Sequence, residues 1–278
     1  MTRAAMHPEA ARRRPGLRWR PDAPASAIER PAPTEAAIGL SFNGRPHAVL
    51  MATPADVQEL AIGFTVTEGV AAPSEIMGVS VVRRAEGLLA DVTLAPEAAR
   101  RRARPRGLEG RSSCGLCGVQ RLADAVRPLP KVASAVRFNP AAVQAAVDSL
   151  AAHQALGALT RATHAAGFAD ASGALRMVRE DVGRHNALDK LGGALIAAGL
   201  DPAAGFVVAT SRCSFEMVEK TARLGVPAIV AVSAPTDLAI ERAQVAGLTL
   251  IALARADGFT VFTHAERLGL SVAEASYA

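Results

Sequence analysis

The sequence predicts an α/β protein, with a smaller α+β N-terminal part and a C-terminal part built on a parallel sheet covered by helices. Three observations predict it. From about residue 139, short apolar runs alternate with helical periodicity ("GFVVAT", "SFEMVEKTARLG", "PAIVAVS", "PTDLAIERAQVAG", "TLIALA"), the spacing of strand–helix–strand units. Those strands are continuous apolar runs, as expected where helices bury both faces of a sheet. Half of the 278 residues are hydrophobic while aromatics make up only 4%, which supplies a full-sized core of Ala, Val, Leu and Ile.

Residues 1–34 read as a basic, Pro-rich, mobile leader. Arg12–Arg14 are followed by Pro15, Arg18, Arg20 and Pro21, where an export signal requires an apolar stretch. The chain also lacks a run of about 18 apolar residues, so no membrane helix is expected. Residues 35–138 form the N-terminal α+β part. Two alternating runs flank Asn43-Gly44, a strong hairpin signal. A helix follows, with Val57, Leu60, Ala61 and Phe64 on one stripe, Pro54 near its start and Gly69 near its end. Strand-like "GVSVVRRA" and "LLADVTLA" precede an exposed cationic loop over residues 100–118, which carries Cys114 and Cys117 as C-x-x-C.

Residues 139–278 form the C-terminal part. "NPAAVQAAVDSLAAHQAL" is an amphipathic helix, and "HAAGFADASGALRMVRED" a hairpin turning at Ala171-Ser172-Gly173. "RHNALDKLGGALIAAG" is a helix with Leu188, Leu191 and Leu195 on its stripe, ended by Gly199. The strand–helix alternation above and a last strand, "FTVFT", complete the chain.

Three cysteines are too few for a disulfide scaffold, and an odd number fits a reducing cytoplasm. A structural zinc site needs about four ligands, and the remaining candidates are Cys213 and scattered histidines. A zinc deaminase would show H-x-E ahead of P-C-x-x-C; the chain has no H-x-E, and Ser113 precedes Cys114. No metal is expected. The arginines around Cys114 favour the thiolate, which fits a sulfur-carrying thiol better than a thioredoxin-like pair or two incidental cysteines. The formal charge of +5 invites an anionic partner. A nucleic-acid reading would rest on the arginines alone, and no nucleic acid is expected.

Two further segments carry candidate chemistry. In "REDVGRHNALDK", residues 179–190, a helix starting near Arg184 would aim its N-terminal N–H groups at the preceding turn, with Arg184 placed to fork onto a phosphate. The competing structural reading is a capped helix with surface salt bridges. In "TSRCSFEMVEK", Arg212 stands at another strand-to-helix turn, where Ser211 or Ser214 could simply cap the helix. "SAPTD" and "ARADG" repeat the arrangement at later strand ends. The carboxyl ends of parallel strands form the ligand crevice in such sheets, so these turns suggest a phosphorylated ligand. The chain has neither G-x-G-x-x-G nor a P-loop.

"CGLCG", "EDVGRHNALDK", "SRCSFEMVEK", "GVPAIVAVSAPTDLAIERAQVAGLTLIALAR" and "ELAIGFTVTEG" together resemble the FdhD family of formate dehydrogenase accessory sulfurtransferases, over roughly residues 35–265. The resemblance implies a cytoplasmic homodimer that takes persulfide sulfur from a cysteine desulfurase. It implies delivery of that sulfur to molybdenum bis(molybdopterin guanine dinucleotide), for use by the catalytic subunit of formate dehydrogenase, with GDP as a partial mimic of the cofactor. It implies a three-layer αβα, cytidine-deaminase-like C-terminal domain without zinc. By position, Cys114 matches the persulfide-bearing cysteine and Cys117 its companion, and Leu253, Ala254, Arg255, Ala256, Asp257 and Gly258 match the cofactor-binding stretch. The chain departs from the family pattern where Arg161-Ala162 replace two glycines and where Ala252-Leu253 replace Gly-Phe. Cys213 is assigned to the core or the site wall. The runner-up reading is a chaperone that binds and delivers the cofactor without using its cysteines.

Overall fold

The computed structural model describes residues 10–101 and 128–271. Its main body holds two sheets joined by a pair of helices. The first sheet comprises β3 (Ala36–Phe42), β4 (Arg45–Ala52), β5 (Ile76–Arg83) and β6 (Gly87–Leu94), in the order β4-β3-β6-β5. The β3–β4 turn is the Asn43-Gly44 pair, with both residues in the left-handed region that a two-residue hairpin turn demands. The Asn43 side chain also accepts from Leu94 N and donates to Leu94 O, which ties this turn to β6. α1 (Val57–Thr67) covers the sheet through Leu60, Ala61 and Phe64, which pack with Ile38, Leu40, Phe42 and Val92. A short helix, α2 (Pro96–Arg101), follows β6.

The second sheet has the order β12-β11-β10-β9-β7-β8. Its strands are β7 (His164–Asp170), β8 (Leu175–Asp181), β9 (Gly205–Ala209), β10 (Ala228–Ala231), β11 (Thr249–Arg255) and β12 (Gly258–Val261). The expectation of a parallel sheet holds for β9, β10 and β11, whereas β7 runs antiparallel to β9, β8 to β7, and β12 to β11. Hairpins explain both flanks. Gly173, at φ 87°, turns β7 into β8, while Asp170 Oδ1 accepts from Ser172 N.

Helices α5 (Arg184–Ala197), α6 (Phe215–Arg223) and α7 (Asp237–Ala246) cover one face of this sheet through Leu188, Leu191, Met217, Val218, Ala239 and Ala243. α3 (Pro140–Leu150) covers the other through Val143, Ala146 and Leu150. Each strand serves both faces by alternation: Val207 and Ala209 meet the first layer, Phe206 and Val208 the second. Among the described residues, no helix is long and apolar enough to cross a membrane.

α1 is buried on almost every side because it lies between the first sheet and α5. Two glycines let the helices touch backbone to backbone. A Cβ on Gly63 would stand 1.7 Å from Asp189 O, and one on Gly193 would stand 1.9 Å from Glu59 O. Side chains at either point would hold the halves apart.

Two boundaries differ from the sequence reading. Residues 128–138, read as the end of the N-terminal part, run along the C-terminal body: Val132 N donates to Ala246 O and Phe138 N to Arg267 O. The expected mobile leader contains an antiparallel ribbon, β1 (Ala11–Arg20) paired with β2 (Ala23–Pro33). Composition misleads here because prolines at 15, 31 and 33 remove only their own N–H, which a two-stranded ribbon can aim outward. The alternation of arginine with Pro15, Leu17 and Trp19 carries the strand signal.

Candidate ligand crevice

Five chain segments meet at one edge of the second sheet. β8, β9, β10 and β11 all end there, and β7 begins there at His164, opposite Asp181. Hydrogen bonds from backbone N–H groups stitch the segments together. Ala165 N donates to Thr210 Oγ1, Cys213 N to Ala234 O, Thr236 N to Cys213 O, and Leu253 N to Ser233 O. The edge from β8 to β11 crosses four strand spacings, about 19 Å.

The sequence-derived candidates on described residues fall along this edge. Arg184 is the first residue of α5, as its spacing predicts, with Gly183 as the N-cap. Arg212 is exposed in the turn after β9. Leu253 sits within β11 at φ 56°, where the β11–β12 register shifts, and its side chain is 39% exposed. Such a conformation is uncommon for a bulky residue, and it turns a strand side chain outward at the crevice. Arg255, Ala256 and Asp257 are exposed at the turn into β12, with Gly258 at φ 131° closing it. Ala254, within the same stretch, has its side chain buried in the core beside α3. Arg184 and the 253–258 turn lie at opposite ends of the edge, with Arg212 between them. Cys114 and Cys117 lie outside the described residues.

Cys213 is buried in the core, and burial pushes its thiol up to about 12. A neutral, buried thiol packs as core, one of the two places the sequence reading assigns it.

The acidic and basic residues of 179–190 behave unlike surface salt bridges. Asp181 and Lys190 are fully buried and 2.7 Å apart. Asp181 also accepts from Thr53 N and Gly183 N, while Lys190 Nζ donates to Thr53 O. Asn186 Nδ2 donates to Met51 O. The segment therefore clamps the end of β4 against α5. Arg179 closes the same seam on Glu59 of α1.

A second buried group lies beside it. Lys220 of α6 contacts Asp189 at 2.8 Å, Glu68 at 3.0 Å and Thr67 at 3.1 Å. Burial pushes the Asp189 carboxyl up to about 6 despite Lys220, and burial alone would lower the Lys220 ammonium. Asp189 and Glu68 instead hold Lys220 above its ordinary value. His185 is buried next to this group, its Nε2 3.9 Å from Glu216. Burial, with Lys220 and Arg184 nearby, drops its pKa to about 3. His164 is lowered as well, first by burial and then by Arg184. Both imidazoles are thus neutral at pH 7, leaving the arginines as the cations of the edge.

Sequence reasoning missed His185, Glu68, Glu216 and Lys220 as neighbours. The i, i+4 spacing of His185 and Asp189 places them on one helix face, which was a usable signal. No local pattern brings Glu68 and Lys220 to that face.

A three-layer α/β body with an appended sheet, a cationic strand-end crevice and a buried ionic seam defines the class. The profile of the FdhD/NarQ family matches residues 33–269, and the chain belongs to that family. Among its relatives, the sulfur carrier protein FdhD of Agrobacterium fabrum is 48% identical, covering 86% of this chain and 90% of its own. That of Xanthomonas campestris pv. campestris is 46% identical, covering 86% of each chain. In three dimensions the chain is similar to a crystal structure from Desulfotalea psychrophila assigned as a formate dehydrogenase accessory protein. The TM-score is 0.72 at 23% identity, covering 93% of this chain and 99% of that one.

Proposed function

We propose that this protein is a cytoplasmic sulfur carrier serving a formate dehydrogenase. The observation that carries the reading is the match over residues 33–269 to a family whose relatives are sulfur carriers, in a chain that holds C-x-x-C among arginines. The C-terminal α/β/α body is read as cytidine-deaminase-like, and the working unit as a homodimer. Cys114 thiolate attacks the outer sulfur of a persulfide on a cysteine desulfurase. The donor S–S bond breaks, the desulfurase thiolate leaves, and Cys114 carries the persulfide. The arginines nearer to Cys114 in sequence, Arg102, Arg104, Arg106 and Arg111, favour the attacking thiolate.

The recipient substrate is molybdenum bis(molybdopterin guanine dinucleotide). The donor set of the crevice fits its anionic phosphates. Arg184 and Arg212 supply guanidinium forks, and the turn at 253–258 supplies main chain.

The test incubates the protein with a cysteine desulfurase and cysteine and maps the gain of one sulfur atom by peptide mass. Sulfur is expected on Cys114 and absent from Cys114→Ala. If Cys114→Ala is labelled fully, the sulfur is carried by another cysteine; if Cys114→Ala takes up no sulfur yet restores formate dehydrogenase activity as wild type does, the protein is a cofactor chaperone instead. Binding of GDP, abolished by Arg212→Gln, checks the crevice separately.

A further inference from the structure

The β1–β2 ribbon is ten residues long on its first strand and exposed along nearly all of it. Strand alternation divides its side chains between two faces. One face carries Pro15, Leu17 and Trp19, with Leu17 79% and Trp19 73% exposed, and at its base-side end Arg13, 3.9 Å from Glu29. The other carries Arg12, Arg14 and Arg18, joined by Arg30 across from Arg14. The base is anchored: Ala10 is buried, Thr34 N donates to Ala10 O, and β2 runs beside α4 (Ala155–Thr160). The ribbon therefore leaves the body as one piece and reaches about 30 Å outward.

A lone two-stranded ribbon is marginal in water, and this one leaves its largest apolar side chains uncovered. A transient partner would leave it uncovered most of the time. A permanent cover is needed, and the chain's charge distribution says which kind. Residues 1–33 carry seven arginines and three carboxylates, and residues 100–127 carry eight arginines and two carboxylates. All other residues together hold 16 basic and 21 acidic side chains. The body that the ribbon leaves is thus anionic, opposite in sign to the ribbon itself.

We propose that residues 10–34 are an exchange arm that docks on a second copy of this chain. Leu17 and Trp19 insert against the second body, and the arginine face lies along its carboxylates. Two arms related by a two-fold axis make the contact self-complementary. This deepens the homodimer reading above by naming the element that holds the pair together.

Trp19 is the sole tryptophan, so its emission reports the contact directly. The full chain is titrated over concentration with fluorescence and light scattering in parallel. The expected result is a blue-shifted Trp19 emission that appears together with the dimer and reverts in high salt. Leu17→Ala with Trp19→Ala, followed by light scattering alone, should weaken the dimer about thirtyfold or more, the size of an aromatic hot spot. A variant starting at residue 35 keeps all but the first two residues of the matched family region and guards against misfolding of the double variant. A full chain that stays monomeric overturns the dimer reading. A full chain that dimerises while the shortened one dimerises equally well, or while Trp19 emission stays that of an exposed indole, overturns the arm alone. Emission that shifts only on adding DNA or anionic vesicles overturns it too.

Discussion

Along and around α5, the same residue types work under opposite conditions at the seam and at the crevice. In the seam, Lys190, Asp181, Lys220, Asp189 and Glu68 are withdrawn from water, and each cation faces a carboxylate within about 3 Å. At the crevice, Arg212 and Arg255 lie exposed on an edge whose two histidines are held neutral. Burying an ion pair costs desolvation, repaid only where the remaining hydrogen bonds are satisfied, and Asp181 meets that condition with Thr53, Gly183 and Lys190. Cations of one sign at a water-facing edge pay no such cost and attract an anion. One short segment, residues 179–190, thus supplies both a structural clamp and the first residue of the crevice.

The sharpest way to break this comparison is to remove a charge from the seam. Lys190→Met leaves the Asp181 carboxylate buried without its cation and should cost about 3–5 kcal/mol, read by urea unfolding. Adding Asp181→Asn should recover part of that loss. A cost under about 1 kcal/mol would mean that the seam is hydrated and behaves like the surface.

Acid should expose the next effect. The folded His185 pKa, about 3, lies below the usual unfolded value near 6.5. Its contribution to stability is therefore complete above pH 6.5 and is lost as pH falls toward 3. Asp189 acts with the opposite sign: its folded value of about 6 exceeds the unfolded one, so its contribution is lost as pH rises through 6. Comparing His185→Gln with wild type cancels the Asp189 effect. Relative to wild type, the variant should gain about 2 kcal/mol on going from pH 7 to pH 5. Parallel pH profiles in thermal or urea melts would show instead that His185 titrates normally and that the pocket admits water.

A smaller change sharpens the picture at the crevice edge. Arg161 caps α4 with φ 57°, a position that glycine fills without strain. Arg161→Gly should raise stability by up to about 1 kcal/mol, measured as a shift in melting temperature. A loss of stability would show that its guanidinium is part of the packing.

Local signals in the sequence were sufficient for several elements. Asn43-Gly44, Ala171-Ser172-Gly173, the helix start at Arg184 and the apolar runs of β9, β10 and β11 each depend on dihedral preference or periodicity over a few residues. The linear order of the strands also placed Arg212 and residues 253–258 at the crevice edge, because successive strand–helix units return to the same side of a sheet. The family motifs carried the proposed chemistry of Cys114 in the same local way.

Tertiary structure decided the rest, because burial and partnership are properties of pairs distant in the chain. Nothing near Asp181 announces that Thr53 will meet it, nor anything near Lys220 that Glu68 and Asp189 will. The same limit made residues 179–190 compatible with a solvated face when they form a clamp. It also left the β1–β2 ribbon hidden behind a composition that reads as disorder. Charge and apolarity are written residue by residue, but the free energy of each depends on what the fold sets against it.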